Sequence, residues 1–170
     1  MMRLLDEMMT FNNQFVKKKE YEGYKRDKFP NKKLVIISCM DSRLVELLQR
    51  AMNVGNGDAK IIKTAGALVS HPFGGVMRSI LIAVYELGAK EVCVVGHHDC
   101  GMASLNIDVT IKKMIDRGIK KETLQLLHAS GIDLIQFLEG FDVVEDSVRH
   151  SVMTIRNHPL IPDDIPVHGL

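Results

Sequence analysis

The sequence predicts an α/β protein, a mostly parallel β-sheet of about four core strands flanked by helices. Three observations lead there. Short apolar runs, "LVIIS" (34–38), "AKIIKTAG" (59–66), "EVCVVGH" (91–97) and "IPVHGL" (165–170), alternate with stretches of helical periodicity. The first and third runs lack the apolar–polar alternation of a half-exposed strand, as strands buried on both faces do. Strand–helix alternation in turn calls for parallel pairing with helices on both faces of the sheet.

Taken in order, residues 3–21 read as an amphipathic helix with Leu4, Leu5, Met8, Met9, Phe11 and Phe15 along one side. "KFPNKK" breaks the chain before the first strand. Ser42 is placed to cap a helix in which Leu44, Val45, Leu47, Leu48, Ala51 and Met52 recur at helical spacing. "NVGNGD" is a turn, and the second strand runs to Gly66. Residues 75–87 are apolar nearly all round, so this helix should be buried or covered by another subunit, with Gly88 stopping it. After the third strand, "DVTIKKMIDRG", "KETLQLLHASG" and "IDLIQFLEG" read as short helices, each closed by a glycine. Asp142 and Glu145 have capping-box spacing before a helix carrying Val144, Val148, Val152 and Ile155. A fourth strand begins at "IPVHGL", where the chain stops.

At 170 residues the chain fits one domain, 1–170. Hydrophobic residues make up 46% and charged residues 25%, the balance of a soluble globular protein. The net charge of +1 has no long block of one sign, which argues against nucleic acid or an anionic membrane as partner. "KKKE" at 17–20 reads as a solvated helix face. No apolar stretch is long enough to span a membrane, and the acids in "MMRLLDEMMTF" do not suit a signal peptide, so a cytoplasmic location is the default. Three cysteines, Cys39, Cys93 and Cys100, are too few for a disulfide framework.

Ligands of parallel sheets sit outside the carboxyl ends of the strands. The first strand ends in "CMDSR" (39–43) and the third in "GHHDCG" (96–101), which puts Cys39, His97 and Cys100 on one edge. Cysteine and histidine together are favoured zinc ligands, and three protein ligands leave the fourth tetrahedral position open, as in catalytic zinc sites. Cys93, mid-strand between valines, is expected in the core. His98 and Asp99 are expected to face solvent or to support the ligands, and His71, His128, His150, His158 and His168 have no ligand spacing. The spacing argues against a phosphatase-type loop, which places five residues between cysteine and arginine where here there are three, with a carboxylate among them that would repel phosphate. Asp41 follows a ligand by two residues, and Arg43 can hold it ionised through a charge-assisted fork. Those groups together describe an enzyme that activates water as zinc-bound hydroxide.

"CMDSR", "GDAKIIKTAGA" and "GHHDCG" resemble, in order and separation, the three signature blocks of β-class carbonic anhydrases, and "PLIPDDIPVHG" is similar to the family's approach to its last core strand. The resemblance, to compact bacterial and archaeal members, runs from about Lys32 onward. It implies a zinc enzyme, one Zn²⁺ per chain, interconverting CO₂ and bicarbonate. Cys39, His97 and Cys100 would be the ligands, Asp41 and Arg43 the orienting dyad, and Gly66 and Ala67 part of the substrate pocket. It also implies a homodimer or a multiple of dimers, with an N-terminal helical arm (1–28) packing on the neighbour. Lys63 and Thr64 stand where the family usually has arginine and asparagine, and "LVSHPFGG" departs as well; both are expected to reshape the CO₂ pocket. No tryptophan is present, so the family's tryptophan-lined regulatory bicarbonate pocket is not expected. The last strand is expected to be cut short at Leu170. Two alternatives stay open: a zinc hydrolase of the same fold acting on a CO₂ analogue such as carbon disulfide, and a catalytically silent zinc-binding sensor module.

Overall fold

The computed structural model describes residues 3–170; Met1 and Met2, the start of the expected arm, lie outside the described residues. Four strands, β1 (Leu34–Cys39), β2 (Ala59–Thr64), β3 (Glu91–Val95) and β4 (Val167–Gly169), form one parallel sheet in the order β2-β1-β3-β4. β1 lies inside the sheet, with Ile36 paired to Ile61 on one side and to Cys93 on the other. It is buried from Val35 to Cys39, which explains why its sequence shows no alternation.

Each face of the sheet has its own apolar cluster. On one, Val35, Ile37, Val92, Val94 and Val167 pack against Met77, Ile80, Ala83 and Val84 of α3 (Gly75–Tyr85) and Val152 and Ile155 of α7 (Val144–Arg156). On the other, Ile36 meets Leu48 of α2 (Leu44–Ala51) and Val54. Burying a side chain such as Ile36 or Met77 completely contributes about 1.5–3 kcal/mol, so these two clusters dominate what holds the sheet between its helices. The expected parallel sheet with helices on both faces is therefore what forms.

The helix ends differ from expectation in several places. The helix expected over 3–21 is broken: α1 spans Leu4–Lys17, Lys19 takes a left-handed φ of 57°, and a short 3₁₀ turn follows over Glu20–Tyr24. None of the residues of α1 is buried, and Leu4, Leu5, Met8, Met9 and Phe11 are exposed. Ser42 does not cap α2; Arg43 is at the N-cap without a side-chain cap, and the Asp41 carboxylate accepts the Arg43 amide instead. The capping box of Asp142 and Glu145 does not form either, since Val143 stands at the N-cap of α7 with no side-chain hydrogen bond. The apolar helix expected to be buried or covered divides its faces: Met77, Ile80, Ala83 and Val84 are buried, while Ile82 and Tyr85 are exposed.

The excursion between β3 and α7 holds α4 (Ile107–Asp116), α5 (Lys121–Ala129) and α6 (Leu134–Leu138), none of which buries a residue. Gly118 and Gly131 close the first two at φ of 99° and 83°, as expected of glycine past a helix end. Gly140 after α6 has a different reason. Its φ is not positive, but a Cβ there would stand 2.1 Å from the Met102 carbonyl oxygen, so backbone contact, not helix termination, requires glycine. No described helix is long and apolar enough to cross a membrane.

Candidate metal centre

β1 and β3 are neighbours and parallel, so the turns that leave their carboxyl ends lie side by side. Cys39 is the last residue of β1; His97 and Cys100 follow β3. One ligand atom from each of the three lies within 4.8 Å of the others, the group of this kind found among the described residues. The Cys39 and Cys100 sulfurs are 3.7 Å apart and belong to free, buried thiols. His97 is half-buried, and its Nε2 is buried without any hydrogen-bond partner. An orphaned imidazole nitrogen beside two unpaired thiols is costly in a protein interior unless something fills the space between them. A soft divalent cation fits this donor set. Without one, burial pushes the Cys100 thiol above its ordinary pKa, the Met102 amide opposes this, and the Cys39 sulfur adds to the rise.

The Asp41–Arg43 fork expected from the sequence is present. Arg43 Nε donates to Asp41 Oδ1 at 3.0 Å and Oδ2 at 3.2 Å, and Nη2 donates to Oδ2 at 2.7 Å. The Arg43 amide adds a bond to Oδ1 at 2.8 Å, so one residue supplies both side-chain and backbone donors. Hydrogen bonds from the Arg43 side chain, then from its amide, pull the Asp41 pKa down to about 2. Asp41 is therefore a carboxylate at any physiological pH. Arg43 also reaches Asp99, which is exposed as expected but far from idle: Nη1 donates to its Oδ2 at 2.6 Å and Nη2 to its carbonyl at 2.8 Å.

The β2 end supports the same turn. Lys63 Nζ donates to the carbonyls of Cys39 (3.2 Å) and Leu44 (3.3 Å), and the Thr64 carbonyl accepts the Met40 amide at 2.8 Å. Gly66 and Ala67 are buried in a tight turn after β2, both with positive φ (69° and 59°). A Cβ on Gly66 would come within 2.9 Å of Phe141 and 3.1 Å of Met102, two residues past Cys100, so glycine here permits close packing under the second turn. Gly66 and Ala67 do not line the cavity of about 320 Å³ at His97 and Cys100, whose walls include Ala103, Phe141, Val143 and Glu145. A larger hollow of about 450 Å³ opens between α7 and the end of β4, also touching His97.

Cys93 is buried mid-strand, and burial raises its thiol pKa, in keeping with a core role. His98 is exposed. His158 is buried elsewhere, its Nδ1 accepting the Leu160 amide. The sequence reading missed two contacts: Asp99 as a second partner of Arg43, and Lys63 as a brace under Cys39. The available signal was that a guanidinium carries more donors than one carboxylate can accept.

Two thiols and an imidazole gathered at the carboxyl edge of a parallel sheet, beside an arginine-braced carboxylate, define an α/β protein with a Cys₂His centre able to hold a metal ion. The chain belongs to the β-class carbonic anhydrase family: the family model described as carbonic anhydrase matches residues 34–170. The Bacillus subtilis (strain 168) protein named "Putative carbonic anhydrase YvdA" is 58% identical over 166 residues, covering 98% of this chain and 84% of that one. The crystal structure of β-carbonic anhydrase isoform I from Trichomonas vaginalis superposes with a TM-score of 0.87 at 32% identity, over 99% of this chain and 91% of that one. A carbon disulfide hydrolase of Acidianus sp. (strain A1-3) is 32% identical over 151 residues, 82% of this chain and 72% of that one.

Proposed function

We propose that the protein catalyses the reversible hydration of CO₂ to bicarbonate and a proton, using one zinc ion per chain held by Cys39, His97 and Cys100. The observation that carries this reading is the pairing of the Cys₂His cluster with an Asp41 carboxylate gripped by Arg43. Zinc bound there would act as a Lewis acid that makes water nucleophilic near neutral pH.

The chain's own residues do the rest. The Cys39 and Cys100 sulfurs, as thiolates, offset the cation's two positive charges, and the Met102 amide supports the second of them. Asp41, with its pKa at about 2, stays an acceptor and orients the O–H of a water without taking the proton. Arg43 keeps that carboxylate in place and away from the ligand cluster. Gly66 acts on the substrate side indirectly, by letting Phe141, a wall of the cavity at His97 and Cys100, close in, and Ala67 continues the same buried turn.

We take residues 1–170 as one zinc-binding domain that works as a homodimer or a multiple of dimers. The exposed apolar side of α1, in the N-terminal arm 1–28, is the support for that assembly.

A second reading is hydrolysis of a CO₂ analogue, favoured by relatives named carbon disulfide hydrolase at 28% to 32% identity. The 58% identity to a protein named for carbonic anhydrase outweighs it. A silent sensor has little use for a carboxylate held ionised beside the cluster. Zinc-loaded protein offered CO₂ and carbon disulfide in parallel separates the readings. Proton release from CO₂ with no sulfide from carbon disulfide supports the proposal. Sulfide release with no CO₂ turnover would replace it by the second reading, and bound zinc with neither reaction by the third.

A further inference from the structure

We propose that Asp99 is a positioning residue of the metal centre, acting through Arg43 to hold the two ligand-bearing turns in register; the inference rests on the metal-binding reading above. The ladder between β1 and β3 ends at Ser38 and Val95. Cys39, still paired with Thr64 of β2, and His97 and Cys100 all lie beyond it, so the two turns need another tie to each other. Among the described residues, the hydrogen bonds that join 39–44 to 96–101 are those from Arg43 to Asp99 and the contact between the two thiols.

Asp99 sits between His97 and Cys100 with a left-handed φ of 54°, a conformation that aspartate and asparagine tolerate better than most residues. In it, both the carboxylate and the carbonyl of Asp99 are on the guanidinium, at 2.6 and 2.8 Å. Nε and Nη2 of the same group are on Asp41. All three nitrogens of Arg43 are thus engaged, two toward one turn and two toward the other, with Nη2 shared.

The Asp99 side chain is 86% exposed, and a lone exposed ion pair contributes only about 0–1 kcal/mol. This contact differs in kind. A planar guanidinium fixed by two carboxylates and a carbonyl has little freedom left, and its geometry transmits position as well as charge. There is also a load to bear. The two sulfurs are held 3.7 Å apart, close enough that the thiolates a divalent cation requires would repel each other until the cation is seated. A tie across the turns keeps the donors together through metal uptake and release, so less of the binding free energy goes into assembling them.

Cobalt(II) serves as the probe, because its absorption reports both the sulfur ligands and the coordination geometry. Asp99→Asn keeps the size, the carbonyl and the left-handed tolerance but gives up the charge. Groups that orient metal ligands typically change metal affinity about 10–100-fold when altered. The expected result is loss of Co²⁺ to a chelator at least about 10-fold faster than from the unaltered protein, a weaker sulfur-to-cobalt charge-transfer band, and unchanged far-ultraviolet circular dichroism. Combined with Arg43→Met, Asp99→Asn should add nothing further. If Asp99→Asn does not fold, Asp99→Gly, which accepts the same φ and removes the side-chain acceptor while keeping the carbonyl, carries the same expectation. Co²⁺ release and spectrum matching the unaltered protein would overturn the proposal, as would an undiminished effect of Asp99→Asn in the Arg43→Met background. Failure of the unaltered protein to take up Co²⁺ at all is a separate outcome: it removes the metal reading, and this inference with it.

Discussion

Arg43 is where the chemistry of the site concentrates, because one guanidinium fixes a carboxylate on its own turn and another across the gap. Its partner on the near side was legible from C-x-D-x-R spacing alone, since two residues in a tight turn are close whatever the rest of the chain does. The far partner was not. Asp99 reaches Arg43 through a left-handed backbone and from 56 positions away, and neither feature leaves a mark in spacing. The three candidate ligands were legible for a different reason: they are anchored to the ends of adjacent parallel strands, whose positions the fold class dictates. Two predictions belong here. Cys100→Ser should abolish stoichiometric zinc binding, while Cys93→Ala, buried in mid-strand, should leave it at one per chain; metal analysis of the purified variants checks both. Lys63→Met removes the donor that Lys63 gives to the Cys39 and Leu44 carbonyls and should cost about 1 kcal/mol in denaturant unfolding.

At the scale of elements, strands were easier to read than helix ends. A buried parallel strand announces itself by an unbroken β-branched run, as Val35–Ile37 does. A cap depends on which side chain wins the competition for a few amides. At α2 the winner is Asp41, already turned inward by Arg43, and Ser42 loses its role. The turn before β2 offers a pH test. Asp58 accepts the Gly55 amide at 2.9 Å and the Asn31 amide nitrogen at 3.3 Å, which hold its carboxyl below the ordinary pKa, the Gly55 bond most of all. A lowered folded pKa stabilises the fold above the unfolded value of about 3.9, and the contribution fades as pH falls through the folded value. Asp58→Asn should therefore lower the unfolding midpoint at pH 7, with the gap closing as pH falls below the ordinary carboxylate range. A gap independent of pH would contradict that account. α1 supplies the other element-scale prediction. A 14-residue helix with no buried residue is marginal by itself in water, so its apolar side needs a cover. On the proposed dimeric assembly, Phe11→Glu should shift sedimentation toward monomer, with the spectrum of the sheet domain unchanged.

Across the whole molecule, the sheet order brings the chemistry together. With β1 beside β3, a thiol from the first turn and a thiol and imidazole from the second share one edge, and β2 delivers Lys63 and Gly66 beneath them. The gathering of the ligands on one edge follows from strand–helix alternation and the rule that sites lie at carboxyl ends of parallel strands; the strand order and the Lys63 brace do not. The peripheral helices α4, α5 and α6 show the opposite case: their periodicity predicted helices correctly, but nothing in it revealed that they would bury no residue of their own. The central claim is that Asp41, kept ionised by Arg43, turns a metal-binding cluster into a CO₂-hydrating site. Stopped-flow CO₂ hydration at alkaline pH, with zinc content measured on the same samples, tests it most directly. The account predicts rapid hydration by the zinc-loaded protein and a fall of about 100-fold or more in Asp41→Ala at equal zinc. Full zinc occupancy with no hydration by the unaltered protein, or equal rates in the two, would contradict it.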